Sequence, residues 1–195
     1  MSRPRAFEEV AALEAAIDCF WRRGFEATSI RDLAASMRIG GTSLYNAFGD
    51  KRSLFVQALE RYVERATRAR IARLETSLPP KQAIHRFFAE VIDRSANDLD
   101  RRGCFLINSA IEVAPHDAEL GREISRRLGE IEAFFRRSIE AGQAEGTIPA
   151  ARDATDTARL LLGVLLGIRV LARSKPERAL LEGAARPALA LLNLE

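Results

Sequence analysis

The stretch GGTSLYNAFGDK, Gly40 to Lys51, gathers short hydroxyls, an amide, a phenol and an ammonium around paired glycines. Side chains of this kind donate hydrogen bonds to oxygen or attract anions, and glycine lets a backbone come close to a ligand. This is chemistry for gripping a polyanion. Thr42 and Ser43 are short donors for base edges or phosphates, while Tyr45 and Lys51 reach toward phosphates from either side. Lys51 would do so from the first turn of a helix, where anions are already favoured. Arg31, on the polar side of the preceding segment, is a further candidate phosphate contact, and Phe48 points back into a small core. Arg3 and Arg5 flank Pro4 near the start, as a minor-groove arm or as a solvated tail.

The rest of the chain is poor in groups that make and break bonds. His85 and His116 are its only histidines, no Glu-x-x-His pair offers a di-metal site, and no nucleophile sits at a fixed spacing from a base. Cys19 and Cys104 are far apart and outside any C-x-x-C pair, which argues against a disulfide framework or a zinc site and fits a reducing cytoplasm. No enzyme activity, cofactor or metal is expected. The formal charge is only +3, yet the excess is local: residues 1–75 hold 13 basic against 10 acidic side chains, and residues 76–195 hold 17 of each. The opening MSRPRAFEEV has no apolar run after its basic residues, so it does not read as a secretory signal. The apolar run Leu160 to Ile168 is far shorter than the roughly 20 residues of a membrane span. A soluble protein without a membrane partner is expected.

The elements that must position these groups are helical throughout. Val10, Leu13, Ile17, Phe20 and Trp21 recur at helical spacing, and Gly24 after Arg22 and Arg23 ends a first helix near Arg23. SIRD, Ser29 to Asp32, is a capping box that opens a short helix with Ile30, Leu33, Ala34 and Met37 inward. RIGG interrupts it, and TSLYNAF forms a second short helix within about four residues, the connection of a helix-turn-helix. Asp50 caps a long helix from Lys51 with Leu54, Phe55, Ala58, Leu59, Tyr62 and Val63 on its apolar face, ended by LPP at Leu78 to Pro80. Breaks at residues 101–103, 114–117, 145–149 and 174–176 leave five more helices. The expected fold is all-α with about nine helices. Residues 1–50 form a helix-turn-helix domain, and the helix from residue 51 connects it to a bundle spanning 51–195.

The segment from Ala16 to Phe55, AIDCFWRRGFEATSIRDLAASMRIGGTSLYNAFGDKRSLF, resembles the N-terminal signature of the TetR/AcrR-type transcriptional regulators. The shared features are a helix ending in small and apolar residues with Phe, then Gly-aromatic-x-x-Thr-Ser, then Tyr-x-x-Phe-x-x-Lys. The resemblance implies a homodimeric repressor whose N-terminal domain binds a double-stranded DNA operator and whose C-terminal bundle binds a small-molecule effector. It sets Tyr45 and Lys51 on backbone-contacting positions and Thr42, Ser43 and Asn46 on the recognition helix. The chain departs from the family at Arg38, where glycine is common in the turn, and at Ala47, where histidine is common. An all-helical enzyme and a helical interaction protein without DNA binding are the alternatives.

Two C-terminal segments carry the remaining signals. GCFLINSAIEV, Gly103 to Val113, is apolar almost all round, with Cys104 and Asn108 four apart on one face. Phe88, Phe105 and Phe134 are candidate walls of an effector cavity near Cys104 and Asn108, or else packed core. Cys104 is a candidate thiol sensor or a small buried thiol. TARLLLGVLLGIRVLAR puts Gly163 and Gly167 four apart on an apolar helix, and ERALLEGAARPALALLNL supplies a second one. By the resemblance these two helices, with Leu161, Gly163, Gly167, Leu181 and Ala188, pair with a second copy in a four-helix interface.

Overall fold

Most element boundaries fall where the sequence supplies a stop or a cap. The computed structural model describes residues 3–193, with side chains from Glu9 onward. The side chains of Arg3 and Arg5, and Leu194 of the candidate interface, lie outside the described residues. Helix α1 (Arg3–Arg23) stops at Gly24, whose φ of +81° is open to glycine at little cost. Helix α2 (Ile30–Met37) starts from a complete capping box, with Asp32 N donating to Ser29 Oγ at 3.1 Å and Ser29 N donating to Asp32 Oδ2 at 3.0 Å. It ends on Arg38 in the left-handed region, φ +56° and ψ +38°, a conformation costing a non-glycine residue about 1–2 kcal/mol. The turn thus demands a glycine-like backbone, and arginine adopts it.

Helix α3 (Gly41–Phe48) follows at once, and Gly49 closes it at φ +77°. A β-carbon there would lie 3.2 Å from Ser53 Cβ, so sterics as well as backbone conformation favour glycine. Helix α4 is one long rod in three parts: α-helix Lys51–Val63, a π-helical turn Glu64–Arg68, and α-helix Ala69–Ser77. Asp50 caps it by accepting from Ser53 N at 2.7 Å. Helices α5 (Pro80–Ala96), α6 (Phe105–Glu112), α7 (Ala118–Ala144), α8 (Ala154–Ser174) and α9 (Arg178–Ala190) complete nine helices among the described residues, with no strand among them. The π-helical turn inside the long helix expected from Lys51 is the one departure in element type.

The apolar faces meet as two cores joined along α4. Ala16, Ile17 and Phe20 of α1, Leu33 and Met37 of α2, and Leu44 and Phe48 of α3 bury themselves against Leu54, Phe55 and Ala58. Beyond Tyr62, α4 packs on α5, while α7, α8 and α9 close the larger bundle. Burying these side chains is the main source of stability, at roughly 25 cal/mol per Å² of apolar surface.

A set of ion pairs clamps the middle of α4 onto α7. Arg127, 1% exposed, donates to Glu60 Oε2 at 2.9 Å and to Glu123 Oε2 at 2.6 Å. Arg68 of the π-turn holds Glu130 with two bonds, at 2.7 and 2.8 Å, and also Glu60. Removing one partner of a buried charge costs more than removing the charge itself. Glu60→Ala is therefore expected to destabilise the chain by about 2 kcal/mol in urea unfolding. Arg127→Met, which leaves two water-accessible carboxylates, should cost under about 1 kcal/mol.

Candidate nucleic-acid interface and the cavity behind it

Helices α2 and α3, joined through Arg38 to Gly40, present a polar face built by elimination. Leu44 and Phe48 take the inner side of α3, so Thr42, Ser43, Tyr45 and Asn46 are all exposed, as is Arg31 on α2. None of these five side chains takes part in a hydrogen bond or ion pair among the described residues. Tyr45 is 53% exposed, an unusual setting for an aromatic ring in so small a helix. Ser43, Asn46 and Ala47 line a shallow groove with Glu9 and Ala12 of α1, whereas Thr42 and Tyr45, three apart, share the neighbouring side. No side chain caps α3 at Gly40, so the amides of its first turn have no such partner and face solvent as anion donors.

Lys51 sits in the first turn of α4, at the positive end of the helix dipole, where a cation is disfavoured by a few tenths of a kcal/mol. Its Nζ lies 4.4 Å from the centre of the Phe25 ring and donates to Glu26 O at 3.4 Å. The cation–π contact and the carbonyl hold the ammonium at the edge of the face made by α3. The structure thus places Thr42, Ser43, Tyr45 and Asn46 on the exposed side of α3 and Arg31 on the adjacent helix, with Lys51 held against the α1–α2 connection at the start of α4.

The five residues proposed for the effector do not share one cavity. Phe88 and Phe134 pack with Phe87 and Phe135 in an aromatic quartet between α5 and α7. Phe105 stacks edge-on against Tyr62 and Phe55, on the side of the N-terminal domain. Asn108 is buried and donates through Nδ2 to Arg102 O at 2.8 Å, a tie within the chain. Only Cys104 lines an interior cavity, of about 30 Å³, together with Tyr62, Thr67, Arg70, Arg94 and Arg169. Its wall is mixed: Phe87, Val91, Ile107, Ile131 and Leu165 supply an apolar part, and three guanidiniums converge on the rest. Sequence reasoning missed Tyr62, Arg70, Arg94 and Arg169 as cavity residues. The available signal was Arg169, a charge that closes the longest apolar run and falls on the helix face of Leu161, Leu165 and Ile168.

The two C-terminal helices divide the candidate interface residues. Leu161, Leu181 and Ala188 are buried within the chain. Gly163 and Gly167 are exposed on α8, with nothing within 4 Å of an added β-carbon. Leu160 and Val170, each 45% exposed, continue their stripe at spacings of three and four.

A helix-turn-helix head with an unengaged polar recognition face, carried on an all-helical bundle, defines a DNA-binding regulator class. Residues 12–58 match the model of the tetR family of bacterial regulatory proteins, and residues 80–187 match the tetracyclin repressor-like C-terminal domain. The chain belongs to the TetR family of transcriptional regulators. It is 34% identical to an uncharacterized HTH-type transcriptional regulator, YezE of Bacillus subtilis (strain 168), over 76% of each chain. It is 31% identical to the HTH-type transcriptional repressor ComR of Escherichia coli (strain K12), over 88% of this chain and 82% of ComR. The solved structure of a cysteine mutant of the TetR-family regulator CifR, complexed with 26-bp double-strand operator DNA, aligns at TM-score 0.83 and 31% identity. That alignment covers 92% of this chain and 94% of the CifR chain. Among the described residues no helix is long and apolar enough to cross a membrane, and no group of three or more His, Cys, Asp or Glu could hold a metal ion.

The α2 cap has a pH signature. Bonds from the Ser29 hydroxyl and amide, then Arg23, hold the Asp32 carboxyl at about 2, below its ordinary 3.8. A depressed carboxyl contributes stability that is present above its unfolded pKa and lost as pH falls through the folded one. Melting temperature is therefore expected to fall from roughly pH 4 toward pH 2. Ser29→Ala should flatten that part of the profile while leaving the region above pH 5 parallel to the parent.

Proposed function

We propose that the chain is a homodimeric, effector-responsive repressor that reads double-stranded operator DNA with α3. Residues 1–50 serve as its reading head, and residues 51–195 as its sensor and dimer domain. The observation that carries this reading is the face of Thr42, Ser43, Tyr45 and Asn46, solvent-exposed and unengaged, flanked by a lysine on the wrong end of a helix dipole. A phosphate beside Lys51 would turn that electrostatic cost into a gain. Two copies related by a two-fold axis require inverted half-sites about 34 Å apart or a multiple of it. The effector acts from the C-terminal bundle through α4, which is continuous from the reading head to the sensor.

A gel shift on upstream genomic fragments, with and without competitor DNA, tests the regulator. Specific retardation is expected, and failure of every fragment to compete better than random DNA would refute it. Lys51→Ala should weaken binding about equally on all sequences and lower the salt slope by about one unit per protomer. Thr42→Ala or Asn46→Ala should instead alter sequence preference. An unchanged salt slope for Lys51→Ala would show that this lysine is off the DNA.

The stripe Leu160, Gly163, Gly167 and Val170 on α8, beside exposed Leu180 on α9, is the proposed dimer face. Exposed apolar side chains interleaved with glycines allow close helix approach from outside the chain. Gly167→Trp meets open space in the single chain, so its fold should survive. In light scattering the parent is expected to be a dimer and Gly167→Trp to dissociate at least tenfold more readily, because the bulky ring overpacks the paired helices.

A further inference from the structure

Arg169 is 7% exposed, and its NH1 donates to Ser95 Oγ at 2.7 Å. No carboxylate among the described residues lies within 4.0 Å of its guanidinium, although a guanidinium carries five N–H donors and a full charge. A buried cation without a counter-charge is costly, so such groups are ordinarily paired. Its other polar partners are the Cys104 thiol and the Tyr62 phenol, neither a carboxylate, and two further cations stand nearby. Arg70 lines the same cavity and shares one carboxylate, Glu90, with Arg73 and Arg86. Arg94 lines it as well and has no ion pair among the described residues. Burial first, then repulsion from Arg94 and Arg169, pushes the Arg70 guanidinium below its ordinary value despite Glu90. The remaining polar wall is hydroxyl and thiol: Tyr62, Thr67 and Cys104, with Tyr62 Oη donating to Cys104 Sγ at 3.4 Å. Burial pushes the Tyr62 phenol up, which keeps it a neutral donor.

The cavity has the volume of a small head group and shares one wall with a larger space. Its 30 Å³ accommodates about two water-sized groups. Tyr62, Ala66 and Arg94 also line an outer cleft of about 710 Å³ bounded by Trp21 and Leu99 on its apolar side and by Arg65, Asp98, Asp100 and Arg102 on its charged side. Trp21 belongs to the reading head, Ala66 and Thr67 to the π-turn of α4, and Leu99 and Arg102 to the loop between α5 and α6. The geometry points to a small organic carboxylate as the effector class: its carboxylate is held by Arg169 inside the cavity, and its apolar body lies in the cleft against Trp21 and Ala66. A planar carboxylate matches a guanidinium with two parallel bonds, and two oxygens match the inner volume. This inference rests on the effector-responsive reading above and specifies the chemistry of that site.

Trp21 is the only tryptophan of the chain, so its fluorescence reports the cleft directly. The full-length protein is titrated with phenylacetate and hexanoate and, as neutral isosteres, phenylacetamide and hexanamide. At least one carboxylate is expected to change the Trp21 signal saturably and raise the melting temperature, binding at least tenfold tighter than its own amide. Arg169→Gln should lose that preference, and Arg169→Lys, which keeps the charge without the fork, should recover part of it. Equal binding of acid and amide to the parent overturns the inference whatever the variants do, as does the absence of binding by either acid. So does an acid preference that persists in a folded Arg169→Gln chain. The gel shift of the parent is scored separately. Retardation of DNA without carboxylate binding overturns the inference alone, whereas carboxylate binding without retardation overturns the regulator reading.

Discussion

The molecule depends on one rod held in one register. The first half of α4 supplies Leu54, Phe55 and Ala58 to the small core, and the second half supplies Ile71 and Leu74 to the bundle, so its shape fixes how the two parts sit. Between them the π-turn inserts one extra residue, which rotates everything after Arg68 by about 100° relative to an uninterrupted α-helix. Such a turn has poorer hydrogen bonding than the α-helix around it, and outside forces must favour it. Arg68 supplies them by bonding Glu130 across to α7, and Glu60, one turn before, is held by the buried Arg127. The ion pairs contribute geometry more than stability, since buried pairs roughly offset their own desolvation.

A second tie keeps the loop between α5 and α6 against α1. Arg102 O accepts from Trp21 Nε1 at 3.0 Å and from Asn108 Nδ2 at 2.8 Å, so a single carbonyl joins α1, the loop and α6. Asp98 accepts from the amides of Arg102 and Gly103, and the loop passes through left-handed backbone at Arg101 and Gly103. The Arg102 guanidinium also covers the Trp21 ring at 4.7 Å and pairs with Asp18 of α1. Around this loop Trp21, Tyr62, Phe55 and Phe105 interlock edge to face. Packed aromatic contacts of this kind shift between discrete arrangements rather than deform smoothly. A change of occupancy in the neighbouring cleft therefore meets a stiff connection to α1.

What was legible in the sequence follows from the range of the forces involved. Caps and stops act within four residues, so Ser29 with Asp32, Gly24, Asp50 and the prolines near Leu78 located the ends of α1, α2, α4 and α5 directly. The polar face of α3 was equally readable, because Leu44 and Phe48 alone define which side turns inward. The π-turn was invisible, since its stability comes from Arg68 meeting Glu130, 62 positions away. The cavity was hidden for the same reason: Tyr62, Arg70, Arg94 and Arg169 come from three helices. The aromatic residues mark two places at once: Phe134 packs in the quartet with Phe87 and Phe135, while Phe88, in the same quartet, also lines a cleft with His85, Ile92 and Arg178. On α8 and α9 the sequence marked both helices as apolar, but only burial separates Leu161 and Leu181, turned inward, from Leu160 and Val170, turned outward.

Helix α8 joins the two ends of the regulatory problem. One side carries Leu161, Leu165 and Ile168 into the bundle and brings Arg169 to the cavity. The other carries Gly163, Gly167 and Val170 outward. Any movement of Arg169 along its axis must move the outward stripe with it, because an α-helix transmits translation and rotation as a stiff unit. In a dimer joined through that stripe, the spacing of the two reading heads and the charge state of the two cavities become one variable. A ligand biases that variable only by its difference in affinity for the two spacings, and coupling of this kind is typically about 1–3 kcal/mol. A buried charge without a carboxylate partner is well suited to supply a difference of that size, since its energy depends steeply on whether a counter-charge or only hydroxyls and a thiol stand beside it.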